Sequence, residues 1–315
     1  MAKVCKVDEF FDYGLLAGAS CAFGVFDGVH RGHRFLIEEA MRTARASGSV
    51  SVALTFDIDP DERFHADRLK KLMSNERRIE ALAATGVDVV AVLPFTSSFA
   101  AQQPFDFLAS TFGDSAPGAL HVGRDFHFGA KAAGAVDDLR AWADSRGTRI
   151  CAHDLKSADG VPITATRIRG LLSEGRCEQA ETLLGHPYVF SGTVRSGRGE
   201  GAEMGFCTAN IELAPMMQAL GEGVYAAWAF VGSRRYRAAM SMGASPTFSE
   251  ATATSEVHIL DFSGSLYGET IVVEPVHFLR PMMKFDSVDS LVATVQGNIS
   301  WVREHLEHPG LRKTL

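Results

Sequence analysis

The stretch Cys21-Ala22-Phe23-Gly24-Val25-Phe26-Asp27-Gly28-Val29-His30-Arg31-Gly32-His33 runs directly into Arg34-Phe35-Leu36-Ile37-Glu38-Glu39-Ala40-Met41. A short apolar run ends in a glycine-rich turn with two histidines. Apolar positions 36, 37, 40, 41 and 44 then recur at helical spacing, so the pattern predicts strand, tight loop and helix. Glycines 24, 28 and 32 let backbone approach a ligand closely, and the N-terminus of the following helix offers unpaired N–H groups and the positive end of its dipole. Such a loop suits phosphate. His30 and His33 are three residues apart, so both imidazoles can face one bound group and stabilise charge developing on phosphorus oxygens. Taken alone, the pair also admits metal ligation or a purely structural role. No Cys, His or Glu at the usual metal spacing accompanies it, and the strand, glycines and helix around it favour a nucleotide.

Outward from this loop, short β-branched runs at 50–56, 87–95, 120–122 and 149–155 alternate with helical patterns at 74–85, near 105–112 and at 136–146. This alternation predicts a Rossmann-like α/β domain, a parallel sheet covered on both faces with its ligand at the carboxyl ends of the strands. Two short helices complete the region at 171–184, and Gly185-His186-Pro187 breaks the pattern, so the domains are expected to span 1–185 and 186–315. Beyond the break the texture changes to closely spaced short strands at 189–194, 207–213, 224–231, 235–242, 256–262 and 270–279. These predict a small antiparallel β-barrel. From Asp286 a stripe of Val288, Leu291, Val292, Val295, Ile299, Val302 and Leu306 predicts a terminal packing helix. His305 and His308 near its end read as solvated. Gly197-Arg198-Gly199-Glu200-Gly201-Ala202 formally fits a dinucleotide fingerprint, but it leads into a strand and is discounted.

Composition narrows the function. The 315 residues are 46% hydrophobic and 22% charged, as in an ordinary soluble protein of two domains or one large one. A formal net charge of −7 argues against nucleic acid or an anionic membrane as the main partner. The five cysteines are scattered with no Cys-x-x-Cys, consistent with reduced thiols. Asp8 and Glu9 stand where a signal peptide needs an apolar core, and no apolar run approaches about 18 residues, so a cytoplasmic, unanchored protein is expected. The oligomeric state is not legible.

Phe26-Asp27-Gly28-Val29-His30-Arg31-Gly32-His33 resembles the signature of nucleotidyltransferases that move AMP from ATP to a phosphate-bearing acceptor, in the form found in the prokaryotic bifunctional riboflavin kinase/FAD synthetase family. By that resemblance Gly24, Phe26, Asp27 and Gly28 bind ATP phosphates, with His30 and His33 catalytic. Gly123-Arg124-Asp125-Phe126-His127-Phe128-Gly129 resembles the family's flavin-nucleotide segment and implies flavin contacts from Asp125, Phe126 and Phe128. On spacing alone the two aromatics read more often as strand core than as a platform for a flat ring. Ile163-Thr164-Ala165-Thr166-Arg167-Ile168-Arg169 reads as a plain helix start. It also resembles the family's second nucleotide motif, which implies phosphate contacts from Thr166 and a catalytic role for Arg169. Pro162 and Ala165 depart from that motif, and Asp57 and Asp59 replace a Pro-His environment.

In the second half, Gly205-Phe206-Cys207-Thr208-Ala209-Asn210 is similar to the riboflavin kinase motif in which Thr and Asn oxygens hold Mg²⁺ and nucleotide phosphate, roles implied for Thr208 and Asn210. Cys207 and Ala202 stand where the family carries Pro and Arg. Gly243 to Phe248 and Glu256-Val257-His258-Ile259-Leu260-Asp261-Phe262 extend the similarity, and Glu256 is implied as the base that takes the ribityl proton. Outside the resemblance, a glutamate opening a strand reads as solvated. The resemblance implies ATP-dependent conversion of riboflavin to FMN in the barrel and of FMN to FAD in the first domain, both with Mg²⁺ and without a covalent protein intermediate. The competing reading is a diverged paralogue that binds flavin or nucleotide with one or both reactions lost.

Overall fold

A computed structural model describes residues 2–196, 206–243 and 254–306. The discounted run from Gly197 to Ala202, Gly205, the segment from Ser245 to Phe248 and His308 lie outside them. The chain forms two compact units, Met1–Ala165 and Thr166–Leu315.

The first unit is the expected parallel sheet. Strands β1 (Lys3–Lys6), β2 (Ser20–Phe23), β3 (Ser51–Phe56), β4 (Val89–Leu93), β5 (Ala119–Gly123) and β6 (Arg149–His153) lie in the order β1-β4-β3-β2-β5-β6, every pair parallel. β3 and β4 are buried at every residue, which is why they read as unbroken apolar runs. Side chains alternate between two cores. Cys21, Phe23 and Leu54 join Phe107, Leu108, Leu139 and Trp142 on one face, while Ala22, Ala53 and Val90 meet Ile37, Ala40 and Leu82 on the other. Helix α1 (Arg31–Ser47) supplies the second face by burying Leu36, Ile37, Ala40 and Ala44. β1 carries no legible pattern in the sequence because it is a four-residue, largely exposed edge.

The remaining elements of this unit are helices α2 (Pro60–Phe64), α3 (Asn75–Ala83), α4 (Ser97–Ala100), α5 (Pro104–Phe112) and α6 (Val136–Asp144) and the small hairpin β7 (Ser157–Ala158) to β8 (Val161–Pro162). From β2 the chain winds outward through β3 to β4, then returns to place β5 on the opposite flank of β2. The winding reverses there, and in such sheets the crevice outside the carboxyl ends of the two strands is the ligand site. The loops leaving β2 and β5 are the two that carry the motifs.

The second unit opens with α7 (Ala165–Ser173) and α8 (Cys177–Leu184). It continues into β9 (Phe190–Arg195), β10 (Ala209–Leu213), β11 (Gly223–Val231), β12 (Arg234–Gly243), β13 (Thr254–Ile259) and β14 (Thr270–Arg280). These strands form a closed barrel, β10-β13-β12-β11-β14-β9, antiparallel throughout. Pro275 sits in β14 next to a register shift against β11, where a missing ladder donor is tolerated. Helix α9 (Val288–His305) packs outside the barrel, with Val302 and Leu306 against Ala226, Trp228, Phe230 and Ala239. Only that end of the apolar stripe is deeply buried, and Val288 is exposed. His305 is stacked on Trp301 at 4.3 Å between centroids.

The units divide at 165/166, ahead of the break at Gly185. The reason is packing: α8 lies against β14, and Gly221 donates its N–H to Leu172 O of α7.

Candidate active sites

The loop after β2 is a compact, strained turn. Phe26 (φ +59°), Gly28 (φ +72°) and Val29 (φ +39°) all adopt left-handed backbone, which is costly for a β-branched valine and concentrates at functional loops. Asp27 holds the turn in place. Its buried carboxylate accepts the Leu72 N–H at 3.0 and 3.1 Å, a loop-fixing contact. The fold tucks the Phe26 ring inward, over Gly24.

His30 then caps α1. Its Nδ1 accepts the His33 N–H at 3.3 Å, so the ring proton belongs on Nε2. The two imidazoles stack with centroids 3.5 Å apart and planes at 18°. Gly32 is required at their base, because a Cβ there would lie 3.1 Å from the His30 ring. Burial pushes the His33 pKa well below its ordinary value, and His30 and Arg78 push in the same direction. His33 is therefore neutral at neutral pH, and its buried Nδ1 has no partner among the described residues. A neutral imidazole pair at a helix N-terminus supplies hydrogen-bond donors to an anion without first having to lose a proton.

Beneath the loop lies a residue the sequence reading missed. Arg78 of α3 is 1% exposed, and its guanidinium donates to Val25 O (2.6 Å), Thr55 Oγ1 (2.7 Å), Phe56 O (2.9 Å) and Asn75 Oδ1 (3.3 Å). It joins the exits of β2 and β3 and places a buried positive charge behind the histidines. Burial lowers its pKa, while Asp59 and Asp27 work to raise it. The available signal was register: Arg78 and Leu82 are the two residues of α3 that are buried, one turn apart.

The acidic departures prove structural. Asp57 accepts the Phe95 N–H at 2.8 Å, joining β3 to β4, and Asp59 caps α2 by accepting the Asp61 N–H at 2.9 Å while Glu62 reaches back to the Asp59 N–H. Neither carboxylate lines the cavity described next.

That cavity, about 920 Å³, opens at the β2/β5 crevice. Gly24, Phe26, His30 and His33 line one part, and Asp125, Phe126 and Phe128 another. Phe126 and Phe128 are not in a strand. They follow β5 in a turn that a two-bond bridge from Phe128 to Gly134 closes, and their rings stack at 5.8 Å. Phe23, Phe56, Phe95 and Phe107 continue the aromatic wall, with Phe107 and Phe128 at 5.5 Å. The site thus sets a polyphosphate-ready loop beside a wall fit for a flat ring. Thr164 and Ala165 also line it, whereas Thr166 and Arg169 lie on α7 in the second unit.

On the barrel, register brings two expected residues together. Asn210 of β10 pairs directly with Glu256 of β13, and Thr208 precedes Asn210 by two positions. β13 alternates buried Ser255, Val257 and Ile259 with half-buried Glu256 and His258. His258 Nδ1 contacts Cys207 O at 2.8 Å and holds the Cys207–Thr208 segment against β13. Hydroxyl, amide and carboxylate oxygens in this arrangement fit Mg²⁺, which binds few protein ligands and completes its shell with phosphate and water. Among the described residues no group of three His, Cys, Asp or Glu gathers as a metal site.

Comparison with known proteins matches both units. The family described as FAD synthetase matches residues 15–167, and the riboflavin kinase family matches 184–306. A bifunctional riboflavin kinase/FMN adenylyltransferase of Listeria monocytogenes is 36% identical over 87% of this chain and 88% of its own, and that of Haemophilus influenzae is 32% identical over 90% and 93%. A crystal structure described as a macrolide-efflux protein from Streptococcus pneumoniae superposes with TM-score 0.80 at 28% identity, covering 96% of this chain and 99% of that one. The efflux description is that protein's own; among the described residues of this chain no helix is long and apolar enough to cross a membrane. With the two motif-bearing units arranged in the same order as in these relatives, the chain belongs to the bifunctional riboflavin kinase/FMN adenylyltransferase family.

Proposed function

We propose that the protein makes FMN from riboflavin in its barrel and FAD from FMN in its parallel-sheet unit, using ATP in each step, as a cytoplasmic enzyme acting on small molecules. The observation that carries the reading is the single cavity joining the His30/His33 loop to the Phe126/Phe128 wall at the sheet's switch point. The catalytic division falls at 185/186, with one family match ending at 167 and the other starting at 184.

In adenylyl transfer, an oxygen of the FMN phosphate attacks the α-phosphorus of ATP. The new P–O bond forms as the bond to the β-phosphate oxygen breaks, and pyrophosphate leaves. His30 through Nε2–H, and His33 beside it, donate to the phosphate oxygens as charge moves onto the leaving group. Gly24, Phe26 and Gly28 shape the loop around the polyphosphate, Asp27 locks it, and Arg78 adds positive potential from behind. Phe126 and Phe128 hold the flavin ring, with Asp125 at its edge. Thr166 and Arg169 contribute to phosphate binding. In the kinase step Glu256 takes the proton from the ribityl hydroxyl as that oxygen attacks the γ-phosphorus and ADP leaves. Thr208 and Asn210 would hold Mg²⁺, which supplies charge neutralisation to the phosphates.

The test is a time course with riboflavin, excess ATP and Mg²⁺, resolving riboflavin, FMN and FAD by chromatography. FMN appearing first and then converting to FAD is expected. FMN that accumulates without FAD would remove the adenylyltransferase half of the reading, and flavin binding with no conversion would leave a binding protein.

A further inference from the structure

Two histidines that the mechanism above does not use meet beside the cavity. His121, in β5, is 1% exposed, and His153, at the end of β6, is half-buried and lines the cavity wall. The parallel register of β5 and β6 pairs His121 with Cys151 and Gly123 with His153. The rings stack at 5.1 Å with planes 14° apart, and His121 Nδ1 lies 2.9 Å from His153 Nε2. Phe35 of α1 packs edge-on against His153 at 5.7 Å, and the Lys156 ammonium sits over the other part of that wall, 5.1 Å from the Phe35 ring centre. The imidazole of His153 is therefore gripped on two sides while one edge remains at the cavity.

His121 Nε2 is buried with no partner among the described residues. If His153 donated in the shared hydrogen bond, His121 would carry its own proton on that buried Nε2, leaving an orphaned donor. If His121 Nδ1–H donates, Nε2 is left as a bare acceptor, the less costly of the two defects. His153 then accepts at Nε2 and must carry its proton on Nδ1.

We propose that His153 is a nucleotide-binding residue for adenylyl transfer and His121 its positioning residue: His121 fixes the tautomer and ring orientation of His153 so that His153 Nδ1–H is a permanent donor to an acceptor atom of the nucleotide in the cavity. The arrangement works with both rings neutral. Burial, and then His153, bring His121 down to about 4, and burial lowers His153. Glu39 of α1 acts on both in the raising direction, Asp154 does so on His153, and Arg42 of α1 and Arg149 of β6 oppose them. A donor held this way does not switch off across the physiological range.

The inference rests on the adenylyltransferase reading, and the experiment separates the two. In full-length protein with ¹⁵N-labelled histidine, the His153 ring is expected as the Nδ1–H tautomer, with Nε2 as acceptor. In FAD formation from supplied FMN, His153→Phe and His121→Phe are each expected to raise KM for ATP about tenfold with kcat within about twofold, the size of one lost hydrogen bond. His121→Asn, whose side-chain N–H stands close to where Nδ1–H was, restores KM. FMN formation from riboflavin is unchanged in all three. Should His121→Phe fail to fold, as its melting curve would reveal, His153→Phe at the half-buried position carries the test. A wild-type protein that makes no FAD removes the underlying reading. A wild-type protein that makes FAD overturns this inference alone if His153 proves to be the Nε2–H tautomer, or if KM for ATP is unmoved in folded His153→Phe.

Discussion

The two halves of the molecule meet a polyphosphate in opposite ways. In the parallel-sheet unit the groups are buried, neutral or desolvated, and locked by a layer of hydrogen bonds behind them: Asp27 on Leu72, Arg78 on Val25 and Phe56, His30 on His33. In the barrel the corresponding groups sit at half-buried cross-strand positions, where Asn210 faces Glu256 and His258 contacts Cys207 O. The first site offers preorganised N–H donors at a helix N-terminus, and the second offers oxygen atoms suited to a hard cation. Perturbing the support behind a group should therefore matter in the first half, while in the second the direct probe is the oxygen-bearing group itself.

Four experiments sharpen or break that contrast. The largest effect is expected from Glu256→Gln. FMN formation should fall by about 10²- to 10⁴-fold, the range for a general base, while FAD formation from supplied FMN persists; undiminished kinase turnover would reject the base. His33→Ala is the mirror image. FAD formation should drop roughly 10²- to 10³-fold, as for loss of one donor to a transition-state oxyanion, with FMN formation spared, and loss of both activities together would contradict separate sites. Arg78→Met tests the support alone. It leaves Asp59 and Asp27 without their buried countercharge and takes a charged donor from Val25 O and Phe56 O, so the parallel-sheet unit should lose about 3–5 kcal/mol in chemical denaturation while the barrel's transition stays in place. A single transition that shifts as a whole would instead tie the two halves together.

Acid is the mildest probe. The folded state lowers the proton affinity of His121 to about 4, below the ordinary value of 6.5, so the unfolded chain binds more protons between those values. Stability of the parallel-sheet unit is then intact above about pH 6.5 and declines as pH falls toward 4, by on the order of 3 kcal/mol from His121. His33 adds in the same direction. A denaturation series from pH 7.5 to about 4.5 that follows His121→Asn and wild type identically would show that the pair contributes nothing to the slope.

Much of the site was legible because local chemistry wrote it. Three glycines and two histidines between a strand and a helix can hardly describe anything other than a close-approach loop at a helix mouth, and that is how residues 24 to 33 fold. Alternating and continuous apolar runs separated the sheet from the barrel for the same reason: side-chain period follows from which faces are buried. Where one motif residue ends its strand was less legible. On spacing Phe126 and Phe128 read more readily as strand core, and the bridge from Phe128 to Gly134 places them in a turn after β5 instead. Asp57 and Asp59 read as intruders at an anion site, yet backbone N–H groups of other elements use both.

The sequence by itself determined the two textures and the glycine-histidine loop between β2 and α1, since each depends on residues within a few positions of one another. The tertiary structure alone decided that Arg78 stands behind the histidines, that Asn210 meets Glu256, and that His121 sets the proton of His153. Those contacts join residues 22 to 53 positions apart where Arg78 meets the exits of β2 and β3, 46 across the barrel strands and 32 across the sheet. No local period records them, because they exist only once strand register and sheet order have brought distant segments to the same edge.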